Sequence, residues 1–502
     1  MSLTTAGLTQ ALLALTVPPL RLNRFWRNLC LVGTMVTVGL ALAWLPLPEA
    51  ALILGGAIFL ILLLLRPSLS LYLLIPVIPF SPLLAFSVSG VRVGLMEMAL
   101  FLGVAAWLLQ FSLARDQKLS RPPLLWAFLL MLAGVSLSWL NALSLGASLV
   151  ETAKWLEMLA LYWLAVTLLP VRQVKWAVMA ILLTGLAQAG LGLYQFIFKV
   201  GPEGFLLFGG RFLRAYGTFA QPNPYAGYLG LGLPLALAVM LWAWFDSGAP
   251  PGSILKSRLL RTALFSLPLA GMLAALLASQ SRSAWIAFMT ATGVVLVLYN
   301  RKTVAGLAAA IFVGASLLLL GIFETGLAQL DAVGGATLQR LVEAGSIFSI
   351  TDIAAIQVTD ANFATIERLA HWQAAQEMWR DHLWLGVGFG NYAVVYPVYA
   401  IGRWLDPLGH AHNYLLNIGA EAGLVGLTVY LIFWIFTFGV LWQAVCRSQG
   451  FHRAVAVGAV GIMVHLHIHN LFDNLFVQGM YLHVAIILAL VSVIYQASRT
   501  GE

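Results

Sequence analysis

The chain has 502 residues, of which 61% are hydrophobic and 9% are charged, whereas about 25% of the residues of a soluble globular domain carry a charge. Uncharged runs such as 50–65 and 303–322 approach or reach the roughly 20 apolar residues that a helix needs to cross a bilayer. The composition therefore excludes a soluble enzyme and predicts a polytopic membrane protein. The net charge of +8 is typical of the Lys and Arg of cytoplasmic loops, and we expect no nucleic-acid partner.

The first segment, 1–28, places an apolar stretch before Arg21, Arg24 and Arg27. This order is the reverse of a cleaved signal peptide, so we interpret the segment as an amphipathic stretch at the cytoplasmic face. The hydrophobic runs that follow predict an all-α, polytopic transmembrane helical bundle of about 12–14 spans. These runs lie near 29–46, 48–65, 69–88, 93–113, 123–141, 149–169, 176–198, 223–245, 263–279, 283–299, 303–323, 413–442, 454–472 and 479–497.

A cytoplasmic N-terminus makes the alternation of these spans agree with the distribution of charge. Most Lys and Arg residues then fall in cytoplasmic connections or termini, as at 115–121, 256–261 and 447–453. This asymmetry predicts that both termini are cytoplasmic. The two cysteines, Cys30 and Cys446, exclude a disulfide framework and a cysteine-ligated metal centre.

One outside connection, 324–412, is much longer and more charged than the others. Its segment 363–381 has the apolar spacing of a helix, and 384–391 is a glycine-rich turn. A loop of this length with helices of its own is usually functional. We therefore divide the chain into an N-terminal transmembrane bundle (1–323), a large extracytoplasmic loop (324–412) and C-terminal transmembrane helices (413–502).

Three outside arginines go against the positive-inside bias. Arg211 and Arg214 precede the span that begins near 223, and Arg282 lies at the tip of the hairpin between two spans. The planar guanidinium suits phosphate oxygens, which indicates an anionic ligand. The alternative is an arginine that reaches the lipid headgroups.

The segment that joins the large loop to the next span contains His410, His412 and Asn413. Asn413 is a favourable N-cap for the helix that follows, and a helix N-terminus disfavours the imidazolium form of a nearby histidine. A neutral histidine is what a general base requires. The alternatives are a structural histidine or part of a metal site, but two histidines are too few for a metal, and we predict none.

Two further groups of polar residues fall at or within spans. His465 and His469 share a helix face and are interpreted as part of a polar seam, while Asp473 could orient an outside histidine or pair with an arginine. Glu151, Lys154 and Glu157 lie inside one span, where charged residues usually face the interior of the bundle. We expect these three to pair with one another.

The motifs resemble a known family. The segment 214–224 (RAYGTFAQPNP) is similar to the R-x-x-G-x-F-x-x-P-N pattern of the O-antigen ligase/polymerase superfamily. The order of further motifs also matches: Ser281-Arg282-Ser283, Glu367-Arg368, Trp372, Gly386–Asn391, His410-Ala411-His412-Asn413 and Glu421-Ala422-Gly423. The resemblance covers about residues 205–430. The chain departs from the ligases in having about fourteen spans rather than about twelve, and in the extra tract 1–28.

The resemblance implies a GT-C-type membrane glycosyltransferase of the bacterial inner membrane, acting at the periplasmic face. Such a protein transfers a glycan from an undecaprenyl-diphosphate carrier to an acceptor hydroxyl, with inversion and without a metal or other cofactor. It implies that Arg214 and Arg282 bind the diphosphate and that His412 or His410 is the base, and from its position in the outside loop we add Arg211 to the diphosphate-binding residues. Glu367, Arg368 and Asn413 would contact the acceptor, which is a glycan or a lipid A-core type molecule.

The sequence leaves other functions open. A polysaccharide polymerase or a protein O-oligosaccharyltransferase would use the same donor. An inorganic-anion (bicarbonate) transporter is less favoured, because transporters place their ionisable residues near the membrane midplane, whereas these candidates lie at its outer boundary.

Overall fold

The computed structural model describes residues 60–83, 85–88, 91–113, 121–207, 210–245, 254–299, 358 and 363–500, together with isolated positions between 26 and 56. Most of the first two predicted spans, the span at 303–323 and most of 324–362 lie outside the described residues. The division of the chain at 323 and 412 therefore stays a prediction.

The described part of the chain is almost entirely helical, and the predicted all-α class is confirmed. Its first half contains α1 (Ser68–Phe80), α2 (Leu95–Leu113), α3 (Leu125–Leu137), α4 (Leu145–Leu168), α5 (Val174–Phe198), α6 (Pro222–Gly230), α7 (Leu233–Phe245), α8 (Ile254–Ala278) and α9 (Arg282–Tyr299). Its second half contains α10 (Phe363–Asp381), α11 (Tyr392–Tyr399), α12 (Tyr414–Arg447), α13 (Gly450–His469) and α14 (Met480–Thr500). Short antiparallel hairpins pair β1 (Ala85–Val88) with β2 (Val91–Gly94), and β3 (Leu206–Leu207) with β4 (Phe212–Leu213).

Eight helices among the described residues are long and apolar enough to span a membrane. The chain is therefore a multi-pass membrane protein. Helix α4 is long enough as well, but it carries Glu151, Lys154 and Glu157. The predicted helix at 363–381 is confirmed by α10.

The span predicted at 69–88, for which Pro76, Pro79 and Pro82 also indicate a broken helix, is broken in its second half. Helix α1 ends at Phe80, and a 3₁₀ turn and strand β1 follow. Proline has no backbone N–H and clashes with the preceding turn of a helix, so Pro76 and Pro79 inside α1 and Pro82 just after it weaken the ladder until it stops.

Tight side-chain packing holds the last three helices, α12, α13 and α14, against α3, α4, α7 and α9. Helix α13 packs against α7 and α9, while α14 packs against α4. The ring of Trp155 on α4 is stacked on Phe476 and meets Phe433 of α12 edge to face. This packing fixes the turn between α13 and α14, residues 470–479, which contributes to the candidate site.

Candidate functional site

Two histidines and one aspartate meet where the large loop joins α12. His412 Nδ1 lies 3.4 Å from Asp473 Oδ1, and His410 Nε2 lies 3.9 Å from the same oxygen. The two imidazole rings are 4.4 Å apart, edge to face. We call His410, His412 and Asp473 the histidine–aspartate cluster. The chain thus brings together two residues before α12 and one from the turn after α13.

Backbone geometry places His412 in this cluster. The Asn413 side chain accepts hydrogen bonds from the N–H groups of Leu415 and Leu416, so the predicted N-cap of α12 is confirmed. His412 itself has a left-handed φ of 52°, which is uncommon for a residue other than glycine. The predicted contact of Asn413 with an acceptor stays a prediction.

Burial and neighbouring charges set the protonation of the histidine–aspartate cluster. Burial, assisted by the neighbouring His412, lowers the pKa of His410 to about 4. Burial raises the pKa of Asp473, but the hydrogen bond of His412 and the nearby histidine charges outweigh it and leave this pKa well below its usual range. At neutral pH the cluster therefore consists of a carboxylate with a neutral His410 beside it.

The three side chains of this cluster also form a group that could hold a metal ion, since their ligand atoms all lie within 4.8 Å of one another. However, the backbone N–H of His412 donates to Nδ1 of His410 at 3.1 Å. A neutral imidazole has one N–H and one lone pair, so His410 carries its proton on Nε2, the atom that faces Asp473. A protonated nitrogen cannot coordinate a metal, and the set fits a hydrogen-bonded network better.

Sequence reasoning missed His371, which lies behind this cluster on α10. Its Nδ1 is 2.9 Å from the Tyr392 hydroxyl, and its ring is stacked on Tyr396 and lies 5.7 Å from His412. Burial lowers the pKa of His371 to about 4. The signal was its i, i+4 spacing from Glu367, which places both side chains on one face of α10.

Three arginines gather beside the histidine–aspartate cluster, and we call Arg214, Arg282 and Arg368 the arginine cluster. Arg214 donates from Nε to the Ser279 carbonyl at 2.9 Å and from one Nη to Asn223 Oδ1 at 2.8 Å. Burial, together with the charges of Arg368 and Arg282, lowers the pKa of Arg214 to about 10.

No carboxylate among the described residues forms an ion pair with any member of this cluster. Arg282 is the first residue of α9 and is exposed. The helix N-terminus beside it adds partial positive charge. A concentration of cations without anionic partners is complementary to an anion such as a phosphate.

The turn after α13 connects the two clusters. Arg368 donates from Nε to the carbonyl of Phe472 at 3.1 Å, one residue before Asp473. His469, at the end of α13, lies 3.4 Å from the hydroxyl of Ser283, next to Arg282. The predicted diphosphate residues Arg214 and Arg282 therefore lie in one site with the predicted bases.

The remaining predicted residues lie in different places. Arg211 is exposed and lies over the ring of Phe212, 5.4 Å from its centroid, and no contact among the described residues joins it to the arginine cluster. Glu367 is half-buried, and burial raises its pKa against the opposing charges of His412 and Arg368. Glu367 therefore lies between the two clusters, whereas Arg368, predicted to contact the acceptor, belongs to the arginine cluster.

Of the three charged residues of α4 that we expect to pair with one another, Glu151 and Lys154 form an ion pair. Lys154 Nζ lies 2.5 Å from Glu151, whereas Glu157 accepts a hydrogen bond of 2.6 Å from Tyr481. Helix α14 thus provides the partner of Glu157.

The predicted glycine-rich turn fills a break in α12. Gly423 has non-helical φ and ψ of 64° and −161° inside this helix. The loop 383–391 satisfies the freed backbone groups there: Leu424 and Val425 donate to the carbonyls of Leu383 and Trp384, while Val387 and Gly388 donate to Ala420 and Glu421. A Cβ on Gly386 would overlap the backbone of Glu421. Glycine is therefore required at this close approach.

Comparison with known proteins finds a family domain within the chain. Residues 267–431 match the family model described as O-antigen ligase. The chain carries an O-antigen ligase family domain. No curated protein matches the chain. One chain of a solved structure, described as "Structural coordination of polymerization and crosslinking by a peptidoglycan synthase complex", is 17% identical, with 74% of this chain and 97% of that chain covered and a TM-score of 0.39.

The O-antigen ligase domain contains most of the site. Arg282, Arg368 and both loop histidines lie within 267–431, whereas Arg214 and Asp473 lie outside it. The domain supports an O-antigen ligase/polymerase-like membrane glycosyltransferase, so the family inferred from the motifs is confirmed.

Proposed function

We propose that the protein transfers a glycan from an undecaprenyl-diphosphate carrier to an acceptor hydroxyl, with inversion at the anomeric carbon and without a metal. The observation that carries the proposal is the position of three arginines, none with a carboxylate partner among the described residues, beside a histidine that contacts a buried aspartate. The family domain supports the reaction class, and the donor and mechanism are our inference.

The arginine cluster would hold the diphosphate. As the bond between the sugar and the phosphate breaks, negative charge grows on the leaving diphosphate, and preorganised cations stabilise that charge. Backbone carbonyls and Asn223 fix the guanidinium groups of Arg214 and Arg368. Because these donors are already fixed, they need no reorganisation during the reaction, whereas water molecules would have to reorient around the growing charge.

His412 would be the base. Its Nδ1 faces the Asp473 carboxylate, which favours the tautomer with the proton on Nδ1 and leaves the Nε2 lone pair available. Nε2 takes the proton of the acceptor hydroxyl, the hydroxyl oxygen bonds to the anomeric carbon, and the diphosphate leaves from the opposite face. The bond to the carrier breaks as the new glycosidic bond forms, so the anomeric configuration inverts.

The test uses the purified full-length protein in proteoliposomes with an undecaprenyl-diphosphate oligosaccharide. Lipid A-core, a second carrier-linked glycan and an unfolded protein are supplied as separate acceptors, and the product is analysed by NMR for its anomeric configuration. Transfer to one acceptor with inversion supports the proposal and distinguishes ligase, polymerase and protein glycosylation. Retention of configuration, or uptake of labelled bicarbonate without any transfer, would contradict it.

We also propose that the site faces the extracytoplasmic side of the inner membrane. The basic residues near 256–261 and 447–453 support this orientation. A reporter that is active only outside the cytoplasm should be active when fused between α11 and α12, and silent when fused between α12 and α13. The opposite pattern would place both clusters on the wrong side for a lipid-linked donor.

A further inference from the structure

The Nδ1 of His410 is already engaged in a hydrogen bond, while Nε2 faces Asp473. Nδ1 accepts the backbone N–H of His412 at 3.1 Å, and Nε2 lies 3.9 Å from Asp473 Oδ1. In the neutral ring the lone pair is therefore on Nδ1 and the proton on Nε2. The lone pair that a general base needs is occupied by a backbone donor, so His410 cannot accept a proton from a substrate while this contact lasts.

In His412 the backbone rather than the ring forms the hydrogen bonds. The carbonyl of His412 accepts a hydrogen bond of 3.3 Å from Trp372 Nε1, and its N–H donates to His410. These two contacts hold a backbone whose φ of 52° is unfavourable for a residue with a side chain. The ring then lies with Nδ1 3.4 Å from Asp473 Oδ1, and both ring nitrogens are buried without a hydrogen bond of good geometry among the described residues.

We infer that His410 is a positioning residue for the transfer reaction: it fixes the left-handed backbone of His412 and so directs the Nε2 of His412 toward the acceptor hydroxyl. The inference rests on the proposed function, in which His412 is the base. It assigns different tasks to two histidines that the sequence cannot separate. The ring of His410 packs edge to face against that of His412, so it also limits the rotation of the catalytic ring.

Asparagine and glutamine at position 410 would each replace one of the two ring nitrogens of His410, so these substitutions separate the roles of Nδ1 and Nε2. The Oδ1 of asparagine occupies nearly the position of the histidine Nδ1 and accepts a hydrogen bond, whereas the Nε2 of glutamine occupies nearly the position of the histidine Nε2 and donates one. His410→Asn therefore keeps the contact with the His412 N–H. His410→Gln keeps only the contact with Asp473, and His410→Ala keeps neither.

The experiment measures kcat for transfer and KM for the undecaprenyl-diphosphate donor in the intact protein in proteoliposomes. We expect His410→Asn to stay within about tenfold of wild type in kcat, and His410→Gln and His410→Ala to fall by about 10²-fold, the effect of a misplaced catalytic group. KM for the donor should stay unchanged in all three, because the arginine cluster is intact. The control is His382→Ala, which removes an exposed histidine on the same loop.

A His410→Asn variant as inactive as His410→Ala would overturn the inference, because asparagine cannot act as a base but can position His412. Melting temperatures are compared to separate misfolding from loss of catalysis, and the comparison of asparagine with glutamine remains informative if the alanine variant does not fold. Normal transfer by His412→Ala would instead refute the base assignment in the proposed function. The two failures are therefore seen in different variants.

Discussion

The arginine cluster and the histidine–aspartate cluster are neighbours, but they differ in whether their charges have partners within the protein. The arginine cluster gathers three cations, of which Arg214 and Arg368 are held by neutral oxygens, and none has a carboxylate partner within the described residues. The histidine–aspartate cluster surrounds a buried carboxylate with imidazoles, of which His410 is neutral at pH 7. The arginine cluster is complementary to an anionic ligand, whereas the charge of the histidine–aspartate cluster is stabilised by its own side chains. We therefore expect the arginine cluster to affect both carrier binding and transfer rate, and the histidine–aspartate cluster to affect the rate alone.

The largest expected effect tests this division directly. His412→Ala should lower the transfer rate by about 10²–10⁴-fold, the usual contribution of a general base, while the affinity for the lipid diphosphate stays close to wild type. Carrier affinity and single-turnover rate are measured on the same preparation, with His382→Ala as control. A variant that loses affinity as much as rate would show that the histidine contributes to holding the carrier.

Substitutions in the arginine cluster should change both quantities. Arg214→Lys keeps the charge but loses the fork that reaches Ser279 and Asn223 together, and we expect carrier affinity to fall by about tenfold. Arg282→Ala should weaken binding and slow transfer, because the diphosphate gains charge as it leaves. The matched control is Arg380→Lys, whose side chain is exposed and paired with Glu377. Equal effects of Arg214→Lys and Arg380→Lys would contradict the assignment.

Acid should destabilise the protein through the buried histidines. The pKa values of His410 and His371 fall from the ordinary 6.5 to about 4 in the folded protein. Between these values the unfolded chain binds more protons than the native one, so stability decreases as the pH falls through this window. We expect the melting temperature to drop by several degrees between pH 7 and pH 5.

The slope of this pH dependence can be assigned to residues. His371→Gln removes one of the groups that must stay neutral, and its melting temperature should change less with pH than that of wild type, whatever its value at pH 7. An unchanged slope would mean that these histidines do not determine the acid sensitivity.

The smallest expected effect is that of chelation. Because the His412 N–H occupies Nδ1 of His410, the three ligand atoms of the histidine–aspartate cluster are not arranged for a metal, and transfer should survive exhaustive treatment with EDTA. Loss of activity that Mg²⁺, Mn²⁺ or Zn²⁺ restores would require the histidine–aspartate cluster to be reinterpreted as a metal centre.

Much of the fold could be predicted because the physical signal is local. Hydropathy locates spans, and the apolar spacing of 363–381 gave α10 at its observed bounds. The end of α1 at Phe80 is harder to predict, because proline is tolerated in membrane helices when neighbouring groups satisfy the backbone. The sequence shows Pro76 and Pro79, but it does not show whether neighbouring groups satisfy the backbone carbonyls that these prolines leave free.

The candidate site was only partly accessible from sequence. Arg214, Arg282 and His412 lie in motifs, so their convergence could be expected. The inclusion of Arg368 in the arginine cluster depends on its contact with Phe472, about a hundred residues away in the chain, and no local pattern encodes it. The same applies to Asp473, for which the sequence left two partners open. The division of labour between His410 and His412 depends on a single backbone N–H and its direction.

The break in α12 has a consequence for biogenesis. Backbone groups left unsatisfied in hydrocarbon cost several kcal/mol each, and among the described residues the carbonyls and amides around Gly423 find their partners in the loop 383–391. We therefore expect the N-terminal part of α12, which begins just after His412, to mature together with this loop rather than with the rest of its helix. We expect Gly386→Ala, which would clash with the backbone of Glu421, to yield a chain that inserts into the membrane with wild-type topology but is rapidly degraded by proteases at the outer face. A Gly386→Ala chain as protease-resistant as wild type would show that insertion alone completes the site.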